Sequence, residues 1–359
     1  GPPMIKAMEF AVDQINAAGG VLDQDVTVSG GDEAGDAAVA STSADQVLSE
    51  GVDAVIGAAS SGMSLAIIDK ITQAEVVQCS GSNTSPTFTN YDDGGYYFRT
   101  APTDALQGPV LAETIAGDGH TKVALMGRGD DYGKGLVNAT KEALEEQGAE
   151  VVAEVIYDPE AASFDAEVQQ VTAANPDAIA VIAFDEGSQI IKGLIEAGVS
   201  ADQLYGADGV RSNDLAGLVD PNNAAVLEGM KGTAPDPSAD EAFLSDLQEF
   251  APDLNDTTFA GQVYDCVVVI ALAAIAAGSD SPSAFKDEIV GVTRDGEKCD
   301  SFESCKQLLE DGEDIDFDGA SGPIEFTDAG EPETGMYEVW TINAEGQVET
   351  VSTVESTLE

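Results

Sequence analysis

The chain has 359 residues, 43% of them hydrophobic, with 67 acidic against 14 basic residues and a formal net charge of -53. That length exceeds one ordinary core and suits two domains, while a polyanion of this kind repels phosphates and so excludes nucleic-acid binding. The same charge would repel itself at ordinary ionic strength and is screened in molar salt, where the Debye length is about 3 Å, so we read a chain adapted to very salty surroundings.

The chain opens on a helix. Ile5, Met8, Val12 and Ile15 recur at helical spacing and Gly19-Gly20 ends the run. A doubly wound lobe starts with a strand, so we expect a leading strand and an export signal to precede residue 1. Strands are expected at 25–28, 53–57, 75–79 and 96–100, with helices at 36–50 and 62–73. A second series has helices at 105–116, 133–147, 164–174 and 186–197, and strands at 122–126, 150–157, 178–184 and 203–206. Beyond 229–234 come helices at 239–250 and 259–277, short helices near 283–290 and 301–310, then strands at 324–327, 336–343 and 347–351. No stretch reads as long and apolar enough to span a bilayer; the nearest, 267–277, has the length of a buried helix segment. Helices between strands imply parallel sheets. The expected fold is therefore α/β, with two doubly wound Rossmann-like lobes joined by multiple crossovers. Lobe 1 spans 1–104 and 235–335, and lobe 2 spans 105–234 and 336–359. The cleft between such lobes is the natural ligand site.

Several short patterns carry candidate chemistry. Ser60-Ser61-Gly62 follows a strand and opens a helix, and a second Ser/Thr/Asn-rich turn, including Asn83 and Thr84, follows the next strand. In an open α/β sheet this rim binds ligands, and a helix N-terminus there suits a carboxylate. The plainer reading of Ser60 and Ser61 is an N-cap. Gly127-Arg-Gly-Asp-Asp-Tyr-Gly133 has a superficial dinucleotide-turn pattern, but Asp130 and Asp131 would repel a pyrophosphate. Asp314, Asp316, Asp318 and Glu325, with Gly319, have calcium-loop spacing, although Pro323 and an apparent strand stand where the exit helix belongs. The alternative is a solvated acidic turn. Cys299 and Cys305 are a disulfide candidate in an oxidising compartment, and Cys79 and Cys266 read as buried small hydrophobes. His120 with Cys79 as a nucleophile–base pair is disfavoured, because they fall in different lobes. No metal or paired-carboxylate signature survives, and we expect no cofactor and no enzymatic activity.

FAVDQINAAGGV, GVDAVIGAASSG, NTSPTFT, YYFRTAPTDALQG, KVALMGRGDDYGKGL, NPDAIAVIAF and ASGPIEF occur in that order. Together they resemble the type I periplasmic-binding-protein fold, and most of all the branched-chain and hydrophobic amino-acid-binding proteins of ABC importers. The acidic composition points to a haloarchaeal version. The resemblance implies an extracellular receptor, lipid-anchored or secreted, that closes on a small amino-acid-like ligand and presents it to a membrane permease. A ligand-sensing module and a surface assembly protein of the same fold are the alternatives, and a monomer is expected. The resemblance also implies site roles. Ser60 or Ser61 takes the ligand carboxylate, and Asn83 and Thr84 take the amino-acid head. Tyr132 closes from the second lobe, Phe184 lines the side-chain pocket, and Asp208 pairs with the α-ammonium. Relatives often carry Glu where this chain has Asp208, so the ligand either sits deeper or has a different head group. Arg211, nearby, is placed to reach an acidic ligand. From the residues alone, Tyr132 also reads as an aromatic after a turn, Phe184 as core and Asp208 as a surface acid.

Overall fold

The most apolar run, Ala260–Ala277, forms an 18-residue helix with 14 residues buried. By length and composition it reaches what a membrane span requires, contrary to the expectation from 267–277, but its burial makes it a core helix. Gly278 ends it in the left-handed region, at φ 61°, which favours glycine.

The computed structural model describes residues 1–237 and 241–358, and the chain divides into two units. Unit 1 comprises Gly1–Thr103 and Pro237–Thr334, and unit 2 comprises Asp104–Asp236 and Gly335–Glu359.

In unit 1 the core helix packs on the first helix, Pro2–Ala17. The latter turns Ala7, Ala11 and Ile15, spaced by four, into the core. The rings of Phe10, Phe243 and Tyr264 meet with centroids 5.0 to 6.1 Å apart. A parallel sheet runs Ala54–Ile56, Val77–Ser80, Tyr97–Arg99. Helices Ala37–Ser49 and Ser61–Gln73 bury Ala40 and Ala44 against Ile67 and Ile71. A small second sheet joins Gly322–Pro323, Ile315–Gly319 and Glu297–Cys299.

Several expectations change here. Residues 25–28 form no strand; a single bridge joins Val21 to Gln24 nearby. At 324–327 there is only a bridge from Phe326 to Pro332, the strands lying earlier. The expected helix at 283–290 reduces to Pro282–Phe285. The helix expected from Ala239 runs Glu241–Phe250, its expected first residues lying outside the described ones.

Both cysteine pairs are disulfides, Cys79–Cys266 and Cys299–Cys305. Cys79 and Cys266 are thus not free buried hydrophobes. Strand Val77–Ser80 lies on the core helix and brings residues 187 apart in sequence to a Cα separation of 5.9 Å, inside disulfide range. Strand formation also undoes the calcium loop. Asp316 and Asp318 lie within Ile315–Gly319, and the Lys298 ammonium pairs with Asp316, Asp318 and Glu325 at 2.8 to 3.1 Å. The acids have a cation from the chain itself, and Asp314 takes no part in this cluster.

Unit 2 is built on a seven-stranded sheet in the order Val348–Thr357, Thr334–Ile342, Lys231–Pro235, Leu204–Gly206, Ala178–Ile182, Lys122–Arg128, Glu150–Tyr157. The pairs from Lys231–Pro235 to Glu150–Tyr157 are parallel. Helices Asp104–Gly117, Asp131–Glu146, Asp165–Ala173 and Gly187–Glu196 connect them. Val348–Thr357 is longer than expected because it is an exposed edge strand with few apolar residues to mark it.

Candidate functional site

Ser60, Ser61, Asn83 and Thr84 come together in unit 1, where two turns at the strand ends are laced to each other. Gln78 Nε2 donates to Gly57 O at 2.8 Å, and the hydroxyls of Ser80 and Ser82 donate to Ala58 O and Ala59 O at 3.0 and 2.9 Å. Asn83 completes the lacing. Its Nδ2 donates to Ala58 O and Ala59 O at 3.1 and 3.0 Å, and its Oδ1 accepts from the Tyr97 hydroxyl at 2.9 Å. With its side chain fully engaged and 0% exposed, Asn83 builds the turn. The head-group contact expected from this turn is a backbone group and the Thr84 hydroxyl, and the Asn83 side chain, engaged by the neighbouring carbonyls, holds that turn in place.

Ser60 is the N-cap residue of helix Ser61–Gln73, yet its hydroxyl makes no cap bond. The cap position is as expected, but the Ser60 side chain does not cap. The Ser61 hydroxyl accepts from Ser85 N at 3.3 Å. Thr84 is buried, and its hydroxyl makes no hydrogen bond among the described residues. The first-turn amides of a helix have no partner within it, and this corner lies at the positive end of a dipole. One group here carried no sequence signal. The Glu33 carboxylate accepts from Ala59 N at 2.8 Å and Ser60 N at 3.4 Å, and burial pushes its pKa up. It sits in an irregular stretch, 26 residues from the nearer amide, so spacing could not reveal it.

Tyr132, Phe184 and Asp208 come together in unit 2. Asp208 follows strand Leu204–Gly206, heads the short turn Asp208–Val210 and is buried at 5% exposure. Its Oδ1 accepts from the Tyr132 hydroxyl at 2.9 Å and from Gln107 Nε2 at 3.0 Å. Both donors are neutral, and no cationic side chain pairs with Asp208 among the described residues. Burial pushes its carboxyl up to about 6, against the opposing pull of the Gln107 and Tyr132 bonds. Gln107 also donates to Thr233 O at 3.2 Å. It was legible only as one letter of a motif, because a buried amide on a helix looks like any other polar residue in sequence.

Tyr132 is held by stacking. Phe184 lies 5.1 Å away with rings 7° from parallel, and the Arg128 guanidinium carbon is 3.8 Å from the Phe184 centroid. Arg128 in turn bonds Asp130 at 2.6 Å and Glu186 at 2.9 Å. Gly209 permits the arrangement, since a Cβ there would come within 2.7 Å of the Phe184 ring and 2.3 Å of Ala183 O. Phe184 thus braces Tyr132 between cation and phenol. The turn at 127–133, whose dinucleotide likeness is only superficial, serves the same end, with Asp130 capping the helix by accepting from Gly133 N at 2.9 Å. Arg211 pairs with the buried carboxylate of Glu338, so it is not the open receptor for an acidic ligand that its position suggested. His120 lies beside Asp177 and against the Tyr205 ring, and Cys79 is in a disulfide, which removes the nucleophile–base pair.

Unit 1 holds hydroxyls and a helix N-terminus; unit 2 holds a buried carboxylate that no cationic side chain pairs among the described residues. Comparison with known proteins bears on the same point. A family model described as periplasmic binding protein matches residues 1–344. The chain is 30% identical over 295 residues to a Leu/Ile/Val-binding protein homolog 2 of Brucella abortus, covering 79% of this chain and 76% of that one. It is 25% identical over 343 residues to BasB, a chemotactic signal transduction substrate-binding protein of Halobacterium salinarum, covering 92% and 80%. In fold it is similar to the leucine-binding protein LivK of Thermotoga maritima, with TM-score 0.81, 21% identity and coverage of 99% and 94%. It is likewise similar to LivJ of Streptococcus pneumoniae with isoleucine, with TM-score 0.78, 22% identity and coverage of 100% and 95%. On the match over residues 1–344, the chain belongs to the type I periplasmic binding proteins, in the branched-chain amino-acid family of substrate-binding proteins.

Proposed function

We propose that this chain is the substrate-binding protein of an ABC importer for a branched-chain or other hydrophobic α-amino acid. In this reading Ser60, Ser61 and Thr84 serve the carboxylate of the amino acid, and Asp208, Tyr132 and Gln107 serve its ammonium. The observation that carries this reading is Asp208, a buried carboxylate bonded, among the described residues, only by neutral donors. An α-ammonium supplies the charge it lacks, and such charge-assisted bonds are about twice as strong as neutral ones. Calorimetric titration with L-leucine, L-isoleucine and L-valine tests it. Binding by the parent protein that is lost in Asp208→Ala and Thr84→Ala supports the reading, and unchanged affinity in both variants refutes the site.

A second reading is favoured by the likeness to BasB over 92% of the chain. In it the liganded protein signals to a chemotaxis transducer instead of a permease. Pull-down of membrane partners with and without ligand separates the two. We propose that the protein works on the outer face of the membrane, in high salt. The two disulfides support an oxidising compartment, and the net charge of -53 supports the salt.

A further inference from the structure

Thr84 is flanked by two carbonyls that do not face solvent. Arg99 Nη1 takes both, donating to Asn83 O at 3.1 Å and Ser85 O at 2.8 Å. Arg99 Nη2 donates to Thr89 Oγ1 at 3.3 Å, and Nε donates to Glu331 Oε2 at 2.9 Å. The guanidinium is 1% exposed, and Glu331, its charge partner, is 2% exposed. Thr89 also donates to Glu331 at 3.2 Å, and Arg99 N donates to Gly330 O at 2.9 Å. One planar fork thus grips the turn on either side of Thr84 and anchors it to the segment around 330.

We infer that Arg99 is a positioning residue for the ligand turn: by holding the carbonyls on both sides of Thr84 it fixes where the Thr84 hydroxyl and amide point. The physical reason is geometric. A peptide unit whose carbonyl is fixed has its N–H direction fixed too, so clamping Asn83 O orients the Thr84 amide and clamping Ser85 O holds the far side. Arginine suits this because its rigid fork serves several acceptors in one plane. Lysine at Arg99 keeps a charge for Glu331 but, as a single flexible point, cannot hold both carbonyls in the same geometry. The inference rests on the proposed role of Thr84 in ligand binding.

A double-mutant cycle tests it. Arg99→Lys, Thr84→Ala and the pair are titrated with L-leucine, with amide hydrogen exchange followed over residues 83–85 in each free protein. If Arg99 acts through the turn, each single change weakens binding about tenfold and the pair is within about twofold of Thr84→Ala alone. Exchange in Arg99→Lys then rises at 83–85, and in the segments around Thr89 and Glu331 that the same guanidinium holds, and stays unchanged in the rest of unit 1. Glu331→Gln, which keeps both carbonyl bonds, lowers the melting temperature and leaves affinity within about twofold. Multiplying effects in the pair, or an affinity loss in Glu331→Gln equal to that of Arg99→Lys, overturn the inference and leave the ligand site standing. A neutral Thr84→Ala overturns the site reading and this inference with it. Should the parent protein bind no leucine, the exchange pattern decides: unchanged or uniformly raised exchange refutes positioning by Arg99.

Discussion

Lowering the pH below about 6 should weaken ligand binding through Asp208. In the free protein, burial raises this carboxyl from 3.8 to about 6, so below that pH it carries a proton. A proton there competes with the ligand ammonium for one place. An ammonium beside the carboxylate returns its pKa to the ordinary carboxylate range or lower, and binding near pH 6 therefore releases a proton. The dissociation constant then rises by about tenfold per pH unit below 6, until the carboxyl of the complex is itself protonated. From 6 down to 3.8 this amounts to roughly a hundredfold, or about 3 kcal/mol, as an order of magnitude. Titration with L-leucine from pH 8 to 4.5, repeated in buffers of different ionisation heat, measures affinity and proton release together. Affinity independent of pH across that range, with no proton released near pH 6, would refute the assignment of Asp208 to the ammonium. Asp208→Asn should bind weakly at all these values and lose the slope. The unliganded protein should show the opposite trend in stability. Asp208 and Asp265 both have pKa values raised by burial to about 6, so the folded state holds more protons than the unfolded one between the ordinary value and 6. Stability is therefore highest at the acid end of that window and falls as pH rises through it.

Other expectations concern each half separately. Phe184→Leu should weaken binding by several-fold with little change in melting temperature, because Tyr132 loses the ring that stacks on it at 5.1 Å; fluorescence thermal melts and titration separate the two effects. Removing the Cys79–Cys266 bridge by changing both residues to Ala should cost about 2–4 kcal/mol, seen as an earlier unfolding transition that reductant reproduces in the parent protein. Raising NaCl from 0.1 to 2 M should raise the melting temperature steeply, because the charge of -53 is then screened. A flat response would refute the reading of the charge.

The alternation of apolar strands and amphipathic helices was legible directly, since buried parallel strands such as Ala178–Ile182 are continuous apolar runs that only a covered sheet tolerates. Residues singled out by motif order lie near one another within each unit: Tyr132 bonds Asp208 and stacks on Phe184 in unit 2, and Ser61 accepts from the amide of Ser85, next to Thr84, in unit 1. Where pairing depends on distant contacts, local pattern misled. The acids at 316, 318 and 325 have calcium spacing, and only the sheet reveals that Lys298 sits among them. Cys79 and Cys266 look like core residues until strand and helix bring them together.

By itself, then, the sequence determined the class of fold, the two series of elements and the hydroxyl-rich turns, because periodicity and turn chemistry are local properties. Tertiary structure alone decided which polar groups are already spent. Asn83 is used up on carbonyls, Arg211 pairs with Glu338, and Arg99 holds the turn around Thr84. Among the described residues, Asp208 instead meets only neutral donors. A side chain's capacity for a ligand is what remains after its neighbours are satisfied, and a neighbour can be distant in sequence: Glu331 lies 232 residues from Arg99.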